Sequence, residues 1–380
     1  MDHIYLDHAA TTPMDTQVVE AMNPIMTNIF GNPSSVHSFG RKARQYLDDA
    51  RRTMAGSIHA NEKDIVFTSG GTEADNLAMI GTALANQDKG NHIITTVQEH
   101  HAALNTAEYL EQQEFDVTYL PVDEQGRINI EDLTASLRDD TILVSIMYVN
   151  NETGVIQPIE AIGDILKDHQ AYFHTDAVQA FGLLDIDVQQ SGIDLLTVSS
   201  HKINGPKGIG FLYVAGGTKI EALQFGGEQE RKRRPGTENI AAAVGFKKAV
   251  ELTVENKAEK RQVYASYKDR FLNRLRENGI KYEVNGTPDH TIPAIVNLSF
   301  PGTNVESLLT NFDLSGISAS SGSACTAGSV EPSHVLSAMY GGNSDRTTNS
   351  IRFSFGSFNT EENVIEAADR VAAIVKRLAN

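Results

Sequence analysis

The chain uses cysteine once, at Cys325, inside SASSGSACTAGSVEP (residues 318–332), where the nearest neighbours are Ser, Gly, Ala and Thr. Such neighbours offer little apolar area and much backbone freedom, so the thiol reads as a reactive sulfur on a mobile loop and not as a small core residue. Three further stretches place polar groups just beyond β-rich runs: Asp176 and Gln179 in YFHTDAVQA, Ser199, His201 and Lys202 in LLTVSSHK, and His100 in VQEHHA. Singly, each has a plainer reading as a turn former, a satisfied polar residue or a surface charge. Together, an acid, an imidazole and a lysine at neighbouring strand ends suit pyridoxal phosphate. The lysine would form a Schiff base, the carboxylate would pair with the pyridine nitrogen and keep it protonated, and the imidazole would stack on the ring.

Those strand ends must be brought to one edge of a sheet. From about Asp64 to Val214, IVFTSG, HIITTV, DVTYLPV, TILVSIMYV, YFHTDA, DLLTVSS and GIGFLYV alternate with helical patterns such as Leu77/Ile80/Leu84 and Ile159/Ile162/Leu166. Alternation of this kind predicts βαβ units and a mainly parallel sheet with helices on both faces, where ligands sit at the carboxyl ends of strands. TSGGTEADN (Thr68 to Asn76) joins a strand to a helix start, where free N–H groups and the helix dipole favour a phosphate; Gly70 and Gly71 allow close approach and Thr72 adds a hydroxyl. HKINGPKGIG matches neither nucleotide fingerprint and lies between strands. After Thr237 the texture turns long-helical through about Asn278, with Gly279 as a stop, then strand-like at AIVNLSF and SIRFSFG. A last helix, capped by Asn359 or Thr360, lines Val364, Ala368, Val371 and Val375 along one face. The expected organisation is a large cofactor domain over 15–254 and a small α+β domain over 1–14 and 255–380, the latter carrying the Cys325 loop.

Composition narrows the class. A formal net charge of −17 argues against a broad nucleic-acid-binding face. The one basic cluster, Arg231 to Arg234, reads as a solvated loop beside acidic neighbours, or else as a binding rim. No apolar run approaches the roughly 18 residues that span a bilayer, and the start lacks the features of a secretory signal, so a cytoplasmic location is expected. One cysteine rules out an internal disulfide and the Cys-paired metal motifs, and His101 beside His100 has no accompanying ligand pattern, so no metal is expected.

The strings YLDHAATTP, NPSSVHSFGRKAR, SGGTEADNLA, VQEHHA, VNNETG, HTDAVQA, SSHKINGPKGIG, RRPGTEN, SSGSACTAG and SIRFSFG run in order from Tyr5 to Gly356, nearly the whole chain. Together they resemble the cysteine desulfurases, pyridoxal-phosphate enzymes of the aminotransferase-like fold type I. The resemblance implies that Lys202 carries the cofactor, Asp176 faces its ring nitrogen and Gln179 its ring hydroxyl, and His100 stacks on it and handles protons. It places Gly71, Thr72, Ser199 and His201 around the phosphate, with Thr237 supplied across a homodimer interface. Asn151 and Arg352 hold the substrate, the arginine gripping its carboxylate; an ion pair of Arg352 within the protein is the structural alternative.

By the same resemblance, Lys202 removes the α-proton of L-cysteine. Cys325 then takes the substrate sulfur as a persulfide and alanine is released, with His100 shuttling a proton. SSGSACTAG is similar to the longer-loop branch, whose sulfur goes to a tRNA-thiolating enzyme or an iron-sulfur scaffold. Two departures are visible: the sequence stops at Asn380, without the extension some housekeeping members use to dock the scaffold, and RRPGTEN lacks the Ser many relatives have before Gly. A selenocysteine lyase or other fold-type I enzyme, and a non-catalytic sulfur relay, are the competing expectations.

Overall fold

The computed structural model describes residues 3–322 and 332–379, so Cys325 lies outside the described residues. The main sheet has seven strands in the order β2-β8-β7-β6-β5-β3-β4: β2 (Ile65–Thr68), β3 (His92–Thr96), β4 (Asp116–Leu120), β5 (Thr141–Ser145), β6 (Tyr172–Asp176), β7 (Leu195–Ser199) and β8 (Gly210–Val214). All are mutually parallel except β8, which runs antiparallel to both neighbours, β2 and β7. Every residue of β5 and β7 is buried, as expected for strands covered on both faces. Because β2, β6 and β7 run the same way, Thr68, Asp176 and Ser199 end on one edge.

Helices α1 (Thr16–Asn28), α2 (Ser38–Ser57), α3 (Gly71–Ala85), α4 (His101–Gln112), α5 (Ile130–Ser136), α6 (Ile159–Leu166) and α7 (Ile240–Glu255) cover this sheet or pack on one another beside it. The long helical stretch expected after Thr237 divides at Asn256, where α7 gives way to α8 (Lys257–Glu277). Asn256 leaves helical geometry at φ −105°, ψ 10°, and Gly279, at φ 71°, then supplies the left-handed turn beyond α8.

A smaller antiparallel sheet, in the order β12-β10-β9, joins β9 (Glu283–Asn285), β10 (Ile295–Ser299) and β12 (Ser350–Ser354). It encloses a second apolar core with α8, α9 (Val305–Leu314) and α12 (Glu361–Leu378), centred on Phe271, Phe300, Phe312 and Phe353. The Phe271 and Phe353 rings lie 4.8 Å apart. Of the two expected caps, Thr360 is the one used: it accepts the Asn363 N–H while Asn363 answers to the Thr360 N–H. The short helices α10 (His334–Tyr340) and α11 (Arg346–Asn349) precede β12. Strand β1 (Ile4–Tyr5) pairs in parallel with β11 (Ile317–Ser318), and Asp7 bridges to Ser354, so the N-terminal segment starts on the second core. It then crosses to the main sheet: Thr12 donates N–H and Oγ1–H to the carbonyl of His201, at 3.0 and 2.7 Å, and Asp15 caps α1.

The basic stretch 231–234 is partly the solvated loop expected. Arg231 and Lys232 are exposed, Lys232 pairs with Glu228, and Arg234 turns inward to Glu73 at 2.7 Å. Glu230 anchors the loop beneath: its carboxylate forms a two-pronged pair with Arg51 at 2.6 Å, buried on both sides, and accepts the Phe67 N–H. Glu230, Arg231 and Lys232 all adopt positive φ (47°, 57° and 67°), a conformation that costs energy for residues with side chains and has to be held by such contacts. Glu230→Ala would leave the Arg51 charge buried without its partner, and a loss of about 3–5 kcal/mol is expected in urea denaturation. A loss below about 1 kcal/mol would contradict this account of the loop.

Candidate active site

At the carboxyl edge of the main sheet, between the two cores, lies a cavity of about 740 Å³. Ten of the residues singled out in the sequence line it: Gly71, Thr72, His100, Asn151, Asp176, Gln179, Ser199, His201, Lys202 and Arg352. Thr237 does not; it is exposed on the loop before α7.

Strand β7 runs into a single turn of 3-10 helix, Ser200–Lys202, which turns the lysine into the cavity. The ammonium donates to the carbonyls of Ala9 and Ala10 on the crossing N-terminal segment, the latter at 2.9 Å. Burial and the nearby Arg352 charge push the Lys202 pKa down to about 8, against the pull of Asp176 and Asp7. A lysine that loses its proton so readily is a good nucleophile and base near neutrality.

Asp176 ends β6, one oxygen accepting the Val178 N–H at 2.8 Å. Burial raises its pKa, opposed by His100, the Val178 N–H and Lys202. His100 caps α4: its Nδ1 accepts the Ala102 N–H at 3.1 Å, which assigns the ring proton of the neutral form to Nε2. The ring is open to the cavity but walled elsewhere, and the loss of hydration lowers its pKa, favouring the neutral form.

Two more acids lie behind. A carboxylate oxygen of Asp75, one of Asp176 and a ring nitrogen of His100 lie within 4.8 Å of one another. Glu99 accepts the Met147 N–H and the Thr96 hydroxyl, yet burial pushes its pKa up to about 8. The Asp75 carboxyl, also raised by burial and by Asp176, has one oxygen without a hydrogen-bond partner among the described residues. Burial disfavours the charge on all three acids, and a cation in front of them, which a protonated pyridine ring would be, would restore the charged form of the acid it faces.

The anion end is equally built. The N-terminus of α3 opens on Gly70 and Gly71 beside the Ser199 hydroxyl, and a Cβ on Gly70 would meet nothing nearer than Ser199 Oγ at 3.9 Å. Gly210, at the start of β8, has no such room: its Cβ would fall 2.5 Å from the Val198 carbonyl and 2.9 Å from Gly70 Cα. Free first-turn N–H groups, two hydroxyls and His201 make a cradle for a phosphate monoester. Glu73, an acid in that first turn, is neutralised by Arg234 and by the Ser69 N–H. The donor set thus fits pyridoxal phosphate at both ends, with Lys202 between them.

Arg352, from β12, realises the internal ion pair and faces the cavity as well. Nη2 donates to Asp7 and Nη1 to the Asn151 carbonyl, both at 2.9 Å, while Nε has no partner among the described residues. Gln179 donates to the Ala9 carbonyl at 3.0 Å. His101 stacks edge-on against His334, ring centres 4.7 Å apart. Asp7, Asp75, Glu99, Asn150 and Glu152 were not singled out in the sequence, although each sits in or beside a quoted string; nothing in a string says which of its polar residues will be buried together.

The family description aminotransferase class-V matches residues 4–366. A putative cysteine desulfurase of Bacillus subtilis, IscS 1, is 60% identical over 378 residues that cover 100% of both chains. A cysteine desulfurase of Methanosarcina thermophila is 48% identical over 99% of this chain and 93% of its own. A solved NifS-like protein superposes with a TM-score of 0.92 at 33% identity, covering 99% of this chain and 100% of that one.

The low pKa of Lys202 has a consequence for the apoprotein. The folded value, about 8, lies below the ordinary 10.5, so folding disfavours the ammonium: the cost is complete below pH 8, fades as pH rises, and is gone above 10.5. Lys202→Met apoprotein is therefore expected to be more stable than wild type in urea at pH 7, the gap closing as pH rises from 8 to 10.5. A gap that stays constant over this range would show that burial does not set the lysine's pKa.

Proposed function

The chain belongs to the aminotransferase class-V family, is a pyridoxal-phosphate-dependent cysteine desulfurase, and we propose that it passes sulfur from L-cysteine, through a persulfide on Cys325, to an acceptor protein. The observation that carries the reading is the cavity in which Lys202, Asp176 and His100 face the phosphate cradle while Arg352 reaches in from the other core. When bound, the cofactor supplies an electron sink for the substrate's α-carbon.

The chain's own residues do the rest. Arg352 holds the substrate carboxylate, and the Asn151 carbonyl and Asp7 keep the guanidinium from turning. The Lys202 amine would take the substrate's α-proton at Nζ; its lowered pKa suits that work near neutral pH. His100, with its proton at Nε2, would hand a proton to the bound substrate, and Asp176 is the acid that would keep the cofactor's ring nitrogen protonated. The Cys325 thiolate forms a bond to the substrate sulfur as the Cβ–S bond breaks. The electron pair of that bond stays with the carbon fragment, which gains a proton and leaves as alanine.

One further reading rests on the surface. Met26, Phe30, Phe39 and Phe225 are exposed, Phe30 and Phe39 with ring centres 5.1 Å apart, and Thr237 is exposed on a loop tied through Arg234 to the phosphate turn. These exposed apolar side chains support a homodimer in which the partner's loop completes the phosphate site. The acceptor is a tRNA-thiolating enzyme or an iron-sulfur scaffold, which transfer of radiolabelled sulfur to each would distinguish. Among the described residues no helix is long and apolar enough to cross a membrane.

Cys325→Ala is expected to keep the cofactor's visible absorbance and to lose sulfide release from L-cysteine, assayed with reductant, by at least about a hundredfold. Release near the wild-type rate would remove Cys325 from the mechanism. Sedimentation should give a dimer; a fully active monomer would refute the shared phosphate site.

A further inference from the structure

The geometry points to Glu152 as a positioning residue that fixes both ends of the segment carrying Cys325: its carboxyl group lies against Gly322 on one side and accepts the Ser333 hydroxyl on the other. The inference rests on the role proposed for Cys325. Ser333 Oγ donates to Glu152 Oε2 at 2.5 Å, and a Cβ built on Gly322 would fall 1.7 Å from that same oxygen and 2.1 Å from Cδ. Gly322 is not among the residues with positive φ, so its requirement for glycine is one of contact: the carboxyl group fills the space a side chain would need.

The main chain of the turn that carries Glu152 is itself held. Asn150 Oδ1 accepts the N–H groups of Glu152 and Thr153, both at 2.9 Å, and Asn150 Nδ2 donates to the Gln98 carbonyl. Asn297 Nδ2 donates to the Glu152 carbonyl at 3.2 Å. One residue earlier, the Asn151 carbonyl anchors Arg352, so one turn holds the arginine of the cavity and the base of the Cys325 segment together.

The two flanks meet the turn already tied down. Ser320 exchanges backbone hydrogen bonds with Arg352, at 3.3 and 2.7 Å. Ser333 caps α10 by accepting the Leu336 N–H at 3.1 Å, which directs its own proton to Glu152, and Val335 and Leu336 are buried. Gly322 and Ser333 both stand against one carboxyl group, so Glu152 fixes where the chain leaves the second core and where it returns to α10. Glu152 touches no substrate; it acts by where it keeps Gly322 and Ser333.

The test uses the holoenzyme in a single turnover with L-cysteine, reading sulfur added to Cys325 by peptide mass and the change in cofactor absorbance as substrate binds. Glu152→Ala and Gly322→Ala are each expected to slow sulfur transfer roughly tenfold or more, with the concentration dependence of the absorbance change preserved. Glu152→Gln, which still accepts the Ser333 hydroxyl, should stay within about threefold of wild type. Gly322→Ala should add little further loss in the Glu152→Ala background, because the clash is gone. Sulfur transfer at the wild-type rate in Gly322→Ala, or fully additive losses, would overturn the inference, and the first of these reads even if Glu152→Ala does not fold. If wild type itself places no sulfur on Cys325, the proposed role of that cysteine fails, and hydrogen exchange decides this point separately. Glu152→Gln should leave exchange unchanged, and Gly322→Ala should speed it in 318–322 and 332–336 together; acceleration confined to one flank, or absent, overturns the link.

Discussion

One lysine amine held at the cavity wall by main-chain carbonyls is the constraint on which the rest of the site depends. Lys202 reaches the cavity because β7 ends in a tight turn, and its charge is tolerated there because two main-chain carbonyls of the N-terminal segment receive it. That segment is in place only because it is pinned at both ends, by β1 pairing with β11 on the second core and by Thr12 bonding to His201 on the main sheet. The lysine's low pKa is thus a property of two packed cores and the strap between them. Neutral carbonyls can hold an ammonium without fixing it there as a carboxylate would, which leaves the amine free to react.

Around the lysine, charge is distributed sparingly. Asp75, Glu99 and Asp176 are buried together, and burial opposes ionisation of all three. Asp176 has the Val178 N–H, His100 and Lys202 to stabilise its anion, so the negative charge is best placed on the acid nearest the cavity. His174, buried behind them between Ser145 and Thr197, is pushed down to about 3 by loss of hydration and stays neutral. Where positive charge does enter, at Arg352 and Arg234, it is met by Asp7 and Glu73.

Much of this was legible in the sequence. Each β-rich run between Ile65 and Val214 became a strand, because continuous apolar runs alternating with helical periods leave a parallel sheet few rivals. The strand-end residues Asp176, Ser199 and Lys202 converge for the same reason: strands running one way put their ends on one edge. The break at Asn256 was not legible, since Lys/Glu-rich helical sequence continues on both sides of it. The ion pair of Arg352 was visible as an alternative, but Asp7, its partner, stands 345 residues away. Asp75, Asn150 and Glu152 escaped because their importance lies in burial and in long-range contact, and a short acidic or amide side chain in a string looks the same whether it faces water or a neighbour.

The proposed function requires that sulfur change hands on the protein itself. The most direct measurement reacts the holoenzyme with L-cysteine in the absence of reductant and determines the mass of the peptide containing Cys325. The account predicts that this peptide gains one sulfur atom for each alanine formed in the first turnover. Alanine and free sulfide appearing together, with the peptide unmodified, would contradict it.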